Sequence, residues 1–474
     1  MKQYQSFIFD AYEFDDASRE IRLHYSLDHD VSFTETITLP HDIEINAAHP
    51  DLDNALFALH LIGGISYYKT CLPKTIEIQS GTLTDAQAQF WNEVYENGLG
   101  EFFYRNDIDF RGLVRFPSDQ RSEVSGQKNL HHLPLITDHL PPRPLVPLGG
   151  GKDSLVTVEL LRSLGFDMTL LRVGQNPLID TMALETGFPL WNIKRALSPE
   201  LFKLNEDGAL NGHVPITGYL SFLSIVVALL TNRSHVIFSN EESANIGNTE
   251  FHSKEINHQW SKSLAFERMF QEYVSSFITN DVGYFSLLRP LSELKIAEIF
   301  SRYPKYLPLA TSCNRNWKIR KSDERLAMSD KQKKNSSDYP LTANRSPLGT
   351  LWCGQCPKCA FTFALLAAFL PRKDLVHTFG KDLFEDASLL PLYRELLGLE
   401  NFKPFECVGT PEETAAAFLL AHDRGEFEGS KAMAMFIDEA MPEITEPDEM
   451  IGEAMMTRPD HAIPDPFSGI LKLL

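Results

Sequence analysis

Hydrophobic and polar positions alternate along the first 40 residues of the chain and then take up a longer period. The alternation over residues 5–39 predicts antiparallel strands with one buried face. The spacing of apolar positions over residues 85–95 predicts a helix after them. We therefore predict an N-terminal α+β domain over residues 1–140, which ends near the proline cluster at residues 141–144.

The next part of the chain alternates between short apolar runs and helical runs. The predicted strands are 146–148, 167–173, 234–239 and 284–288. The predicted helices are 155–164, 217–231, 266–278 and 292–303. Strands separated by helices predict an α/β fold with a doubly wound parallel sheet, whose ligand binds at the carboxyl ends of the strands.

A glycine-rich loop lies at such a carboxyl end. The loop consists of Gly149, Gly150, Gly151, Lys152, Asp153 and Ser154. Backbone N–H groups, the positive end of a helix dipole and a serine hydroxyl would surround one anion there. We predict that this anion is a pyrophosphate group, whereas the simpler alternative is an ordinary glycine-rich turn. The spacing matches neither a Walker A loop nor the G-x-G-x-x-G fingerprint.

Four of the six cysteines have the spacing of metal ligands. The candidate ligands are Cys313, Cys353, Cys356 and Cys359. The last three form two overlapping C-x-x-C steps, and Cys313 is the best candidate for a fourth thiolate, so we predict a closed structural zinc site. Cys71 and Cys407 lack such a context, and we interpret them as ordinary core or surface thiols.

The glycine-rich loop resembles the Ser-Gly-Gly-x-Asp-Ser motif of the PP-loop ATP pyrophosphatases, with Gly149 in place of the first serine. The segments 288–299, 307–313 and 353–359 follow in the order seen in the queuosine-pathway nitrile synthases of that superfamily. This resemblance implies a PP-loop (HUP) type sheet over residues 141–310. It also implies cleavage of ATP to AMP and pyrophosphate during adenylation of a substrate, with Mg²⁺ bridging the phosphates.

A second resemblance concerns residues 239–263 and 352–361, which together with the distinct N-terminal region are similar to the UDP-N-acetylmuramoyl-L-alanyl-L-glutamate epimerases. Those bacterial isomerases invert the terminal L-glutamate of a peptidoglycan precursor and use ATP. The resemblance implies a UDP-muramoyl dipeptide as the small-molecule substrate. The alternatives are a queuosine-type carboxylate-activating ligase, a tRNA-thiolating PP-loop enzyme and a non-catalytic nucleotide-binding module.

The segment 240–263 contains many groups that could transfer a proton. The catalytic candidates are His252, His258, Glu241, Lys254 and Glu255. The two histidines rank first because the unperturbed pKa of histidine lies closest to neutrality. The alternative for each residue is a hydrated surface loop.

Further candidates would bind ATP or substrate. Beyond the glycine-rich loop, Arg172 and Gly174 at the end of the second predicted strand are candidates to contact the nucleoside. Lys295 is a candidate to contact the pyrophosphate, and the alternative is a solvated helix lysine. The candidates for substrate binding are Asn245, Lys262, Arg315, Lys318 and Arg320. The last three lie in a basic insert, residues 315–334, which suits a diphosphate such as the UDP moiety. A disordered surface loop is the alternative for that insert.

Charge and hydropathy limit the remaining possibilities. The net charge of −20 opposes general binding to nucleic acid. The longest apolar run, residues 219–230, is too short to span a bilayer, and residues 1–10 lack the pattern of a signal peptide, so we expect a cytoplasmic protein. We predict a zinc-knuckle region over residues 311–375 and an acidic helical region over residues 376–474 with a capping box at residues 410–413. Nothing in the sequence predicts a protein partner.

Overall fold

Nine strands form the main sheet of the protein. The computed structural model describes residues 2–119, 141–313, 315, 350–400 and 403–474. The strands of the main sheet are β1 (Ser6–Asp15), β2 (Glu20–Leu27), β3 (Val31–Thr38), β4 (Thr75–Ile78), β5 (Pro144–Pro147), β6 (Thr169–Val173), β7 (Leu190–Ala196), β8 (His235–Phe238) and β11 (Gly283–Ser286). Two further strands, β9 (Thr249–Phe251) and β10 (Lys254–Ile256), form a separate hairpin.

The order of strands in the main sheet is β11-β8-β5-β6-β7-β3-β2-β1-β4. The five strands from β11 to β7 are parallel to their neighbours, as the alternation of strands and helices predicts. β3 pairs antiparallel with β7, with Thr36 opposite Ala196 and Thr38 opposite Lys194. The prediction of an α/β fold is confirmed, but the sheet is mixed. The N-terminal strands extend the central sheet, because β3 satisfies the free backbone edge of β7.

Most side chains of β5, β6, β8 and β11 are buried, and they lie on both faces of the sheet. Val146 and Phe285 point into one hydrophobic core, whereas their neighbours Leu145 and Tyr284 point into a second core on the opposite face. Burial on both faces explains why these strands read as continuous apolar runs.

Sixteen α-helices are described. They are α1 (Leu52–Gly63), α2 (Ile65–Tyr68), α3 (Asp85–Gly98), α4 (Gly100–Arg105), α5 (Lys152–Ser163), α6 (Pro177–Thr186), α7 (Pro199–Glu206), α8 (Ile216–Leu230), α9 (Leu264–Tyr273), α10 (Glu293–Ser301), α11 (Pro357–Ala367), α12 (Arg372–Phe379), α13 (Leu390–Leu396), α14 (Pro411–Asp423), α15 (Lys431–Met435) and α16 (Pro447–Met455). α1 packs against α8 in one core, and α5 packs against α10 in the other.

The C-terminal helices belong to the body of the fold. α14 packs against α11 and α16, and its buried residues share the core of α5 and α10. The predicted capping box is present, because Thr410 and Glu413 exchange hydrogen bonds at the start of α14. No helix in the described parts of the chain combines the length and apolar character needed to cross a bilayer.

Candidate active site

The glycine-rich loop connects β5 to α5 at the carboxyl edge of the sheet. Gly150 has a φ of 88°, a conformation that favours glycine. The amide of Gly149 donates to the Ser154 hydroxyl at 3.3 Å, and α5 begins at Lys152. A Cβ atom added at Gly149 would meet nothing within 4 Å, so one side of the loop is open. An open loop at a helix N-terminus has the geometry of an anion site.

A buried group of charges lies beside the loop. The Lys152 ammonium is 2.5 Å from the Asp153 carboxylate and also donates to Glu293, which begins α10. The other carboxylate oxygen of Glu293 accepts from Lys358 of α11 at 3.2 Å. Burial would raise the pKa of Glu293, but Lys152 and Lys358 outweigh it and lower the pKa to about 2. Glu293 is therefore ionised near neutral pH, and its two ion pairs join the loop to α11.

Glu413 joins the C-terminal helices to the same region. Its carboxylate accepts from the Ser243 hydroxyl and from the backbone amide of Glu293, each at 2.7 Å. It also accepts from the amide of Thr410 in the capping box. Burial raises the pKa of Glu413 to about 7. One side chain thus caps α14 and fixes the start of α10.

The four predicted cysteine ligands come together. The ligand atoms of Cys313, Cys353, Cys356 and Cys359 all lie within 4.8 Å of one another. The Sγ atom of Cys359 is 3.6 Å from that of Cys353 and 3.5 Å from that of Cys356, which in turn is 4.0 Å from Cys313. Four sulfurs about 2.3 Å from a tetrahedral zinc ion would be about 3.8 Å apart. The donor set therefore fits zinc.

The cysteine cluster is bonded to the glycine-rich loop. The amide of Thr311, two residues before Cys313, donates to the Gly150 carbonyl at 2.9 Å. The Thr311 hydroxyl donates to the Leu351 carbonyl at 2.9 Å and accepts from the Cys313 amide at 3.2 Å. A cluster that fixes residues 311–313 thereby fixes the backbone of the loop.

Glu241 and Lys262 lie in the polar segment after β8. Glu241 is 2% exposed, and its backbone carbonyl accepts from buried Arg289 at 2.6 Å. Burial raises the pKa of Glu241, although the nearby Lys262 ammonium opposes this shift. The charge of Asp153 in the loop also acts on both side chains, so the polar segment faces the glycine-rich loop.

A second polar cluster lies on the other side of Lys262. The Lys262 ammonium is 3.4 Å from the Cys407 sulfur, and the His258 ring also hydrogen-bonds the Cys407 thiol. Nδ1 of His258 bonds to one carboxylate oxygen of Glu101, whose other oxygen accepts from Arg105 at 2.8 Å. Cys407, His258 and Glu101 therefore form a continuous hydrogen-bonded line.

The groups of this line have shifted pKa values. Burial opposes the charged form of both His258 and Cys407, but each stabilises the ion of the other. The pKa of His258 is raised to about 9, with help from Glu101. The pKa of Cys407 is lowered to about 6, with help from Lys262. A thiolate beside an imidazolium is therefore the stable state near neutral pH.

Three of the predicted catalytic residues lie on the β9–β10 hairpin. His252 is exposed at the turn, with a φ of 51°, and its ring is 4.1 Å from that of Phe251. Lys254 pairs with Glu96 at 2.5 Å, and Glu255 is exposed. The structure brings His258 and Glu241 towards the buried charges, but places these three residues on the outer hairpin.

The remaining candidates for ATP and substrate binding lie in different parts of the fold. Asn245 accepts from the amide of Leu264 at 2.7 Å at the start of α9. Gly174 follows the last residue of β6 and has a φ of 83°, and Arg172 is half-buried within the strand. Lys295 pairs with Glu298 of the same helix at 2.7 Å.

Arg315 donates to the Gln355 side chain at 2.8 Å, within the cysteine knuckle. Lys318 and Arg320 lie outside the described residues. Lys358 is the second lysine, besides Lys152 of the loop, that reaches Glu293, and its sequence signal is its position inside the cysteine knuckle.

The fold and site define an α/β protein whose glycine-rich loop is bonded to a four-cysteine cluster beside two buried groups of charges. Two family models match the chain, the MurL N-terminal domain over residues 1–287 and the MurL C-terminal domain over residues 337–451. The chain belongs to the MurL family.

Three curated relatives, each called UDP-N-acetyl-alpha-D-muramoyl-L-alanyl-L-glutamate epimerase, are similar to this chain along most of its length. The protein of Xanthomonas oryzae pv. oryzae is 37% identical over 93% of this chain and 91% of its own. That of a Micromonospora species is 34% identical over 99% and 98%. That of Salinispora tropica is 35% identical over 94% and 90%.

Proposed function

We propose that this chain is an ATP-dependent epimerase that converts the terminal L-glutamate of UDP-N-acetylmuramoyl-L-alanyl-L-glutamate to D-glutamate during peptidoglycan precursor synthesis. The observation that carries the proposal is the similarity to relatives with this name, which cover 93%, 99% and 94% of the chain. The open glycine-rich loop supports the use of ATP, because it offers backbone amides at the start of a helix.

The chemistry explains why ATP would be needed. The α-proton of a free carboxylate is very weakly acidic, because its removal adds negative charge to an anion. Transfer of AMP to the glutamate α-carboxylate, with release of pyrophosphate, removes that charge. A side-chain base can then remove the α-proton, and return of a proton to the opposite face inverts the centre. Hydrolysis of the adenylate releases AMP and the D-residue.

The residues of the loop would have distinct roles. The amides of Gly149 to Gly151 and the hydroxyl of Ser154 would contact the pyrophosphate portion of ATP. Arg172 and Gly174 would contact the nucleoside, and Lys295 would have to leave Glu298 to reach the pyrophosphate. Among the other predicted groups, Asn245 and Lys262 would contact the peptide, and Arg315, Lys318 and Arg320 would contact the UDP diphosphate.

Asp153 and Glu241 are the carboxylates that would bind Mg²⁺. Glu241 is buried, and its raised pKa shows that the surrounding cations do not fully offset its desolvation, so a further cation would stabilise its charge. The ion, when bound, would neutralise the phosphate charge that develops as pyrophosphate leaves. The four cysteines would hold a structural zinc ion, and because protein thiolates fill every position, it would take no part in the chemistry.

The test is a chiral assay with the full chain. We expect D-glutamate, AMP and pyrophosphate when ATP, Mg²⁺ and UDP-N-acetylmuramoyl-L-alanyl-L-glutamate are all present, and none when one of them is omitted. Formation of D-glutamate without ATP would refute the adenylation step while leaving epimerisation intact. AMP release that depends on ammonia, with an amide as the product, would show a ligase instead.

A further inference from the structure

The line of hydrogen bonds from Cys407 through His258 to Glu101 is not among the groups assigned above to adenylation. Three elements bring it together: Glu101 lies in α4, His258 follows the β9–β10 hairpin, and Cys407 precedes α14. Asn248 fixes the arrangement, since its side chain accepts from the His258 amide and donates to the Pro404 carbonyl, each at 2.8 Å. Asn248 thus joins the backbone at His258 to the segment that leads to Cys407.

The charges around Cys407 favour a thiolate. Lys262 faces the sulfur at 3.4 Å, His258 hydrogen-bonds it, and the charge of Lys358 also acts on it. Behind His258, the carboxylate of Glu101 is 3.5 Å from His213. Burial lowers the pKa of His213 to about 4, so this second histidine is neutral near pH 7 and leaves the charge on His258.

Cys407 is also connected to the glycine-rich loop. The Lys358 ammonium donates to the backbone carbonyl of Cys407 and, at 3.2 Å, to Glu293, which bonds to Lys152. Cys407 is only partly buried. Cys407 is therefore joined through Lys358 and Glu293 to the lysine of the predicted ATP site.

We propose that Cys407 is a catalytic base that removes the α-proton of the adenylated glutamate, with His258 and Glu101 as its positioning residues. This inference rests on the proposed function. The thiolate takes the proton as the C–H bond breaks, and the electron pair moves into the bond between the α-carbon and the activated carboxyl carbon. An acid on the opposite face, water or a side chain, supplies the proton that forms the new C–H bond. Cys407 then returns its proton to water.

The same residues are poorly suited to a metal ion. Ligand-type atoms of Glu101, His213 and His258 lie within 4.8 Å of one another. However, an imidazolium that hydrogen-bonds both Glu101 and Cys407 has no lone pair to offer. The arrangement resembles cysteine–histidine pairs in which a lowered thiol pKa activates the sulfur.

The direct test separates proton transfer from activation of the substrate. We expect Cys407→Ser to release pyrophosphate within a few-fold of the wild-type rate, while exchange of the glutamate α-proton with deuterated solvent falls about 10²-fold or more. Cys71→Ser, which alters another partly buried free cysteine, should leave both rates unchanged. Wild-type exchange in Cys407→Ser, or parallel loss of exchange and pyrophosphate release, would overturn the proposal.

A second test needs no substrate and so distinguishes failure of this inference from failure of the proposed function. The rate of alkylation of Cys407 by iodoacetamide, followed by mass spectrometry, should rise with a midpoint near pH 6. In His258→Asn the midpoint should move towards that of an ordinary thiol, about 8.5. An ordinary midpoint in the wild-type protein, or loss of a bound metal ion in Cys407→Ser, would refute the assignment whichever substrate the enzyme uses.

Discussion

Replacement of Glu293 by glutamine tests whether the buried charges beside the loop stabilise the fold. Glu293 is 1% exposed and accepts from both Lys152 and Lys358. Glutamine keeps the size of the side chain, but it leaves two ammonium groups facing a neutral amide. Removal of one partner from a buried ion pair typically costs 3–5 kcal/mol, so we expect a loss of about 3 kcal/mol in the free energy of unfolding.

Urea unfolding followed by circular dichroism would measure this loss. With an m value of about 3 kcal/mol per molar, the midpoint should fall by about 1 M. The matched control is Glu298→Gln in the same helix, which breaks the more exposed pairs with Lys295 and Arg302. That change should cost at most about 1 kcal/mol. Equal effects of the two substitutions would refute the reasoning.

The pH dependence of the stability difference between wild type and Glu293→Gln gives an independent check. The folded-state pKa of Glu293 is lowered from 4.5 to about 2 by Lys152 and Lys358 against the effect of burial. A lowered pKa contributes stability that is present above pH 4.5 and is lost as the pH falls towards 2. The stability difference between wild type and Glu293→Gln should therefore be constant above pH 5 and shrink below it.

Three other predictions concern the metal cluster, the loop and the cysteine–histidine pair. Cys356→Ser should lose bound zinc, measured by metal analysis, and at least about 3 kcal/mol of stability; full zinc content would contradict the site. Asp153→Ala should lower pyrophosphate release about 10²-fold with zinc retained, whereas Asp85→Ala, in the first turn of α3, should not. The rate of epimerisation should be highest between about pH 6 and pH 9, since Cys407 becomes protonated below this window and His258 loses its proton above it. An epimerisation rate that changes with pH only near pH 4 would exclude the pair of Cys407 and His258.

The sequence predicts those features whose signals are local. The glycine-rich loop, the capping box at Thr410 and the helix found at Glu293–Ser301 each depend on residues a few positions apart. The cysteine cluster needs one distant ligand, Cys313, but the C-x-x-C steps identify the other three. The geometry of these features is set mainly by residues that are close in sequence, and less by tertiary packing.

The pairings that the sequence does not reveal join distant parts of the chain. Glu101 and His258 are 157 residues apart, and Lys262 and Cys407 are 145 residues apart, so no spacing relates them. The sequence predicts an ordinary thiol at Cys407 because the charged neighbours of this residue come from other elements. Likewise, the alternation over residues 5–39 indicates strands but cannot show that β3 pairs with β7.

The pairing of β3 with β7 has a consequence for synthesis on the ribosome. β3 cannot pair with β7 until Lys194, which lies roughly 150 residues after Thr38, has been synthesised. Until then, one edge of the sheet formed by β1, β2 and β3 is not covered. At about 5–20 residues per second this delay lasts roughly 10–30 s. During that time β3 exposes a row of unpaired backbone groups that another nascent chain could bind. We therefore expect truncated forms that end before β7 to aggregate, and expression of the full chain to benefit from chaperones that bind early strands.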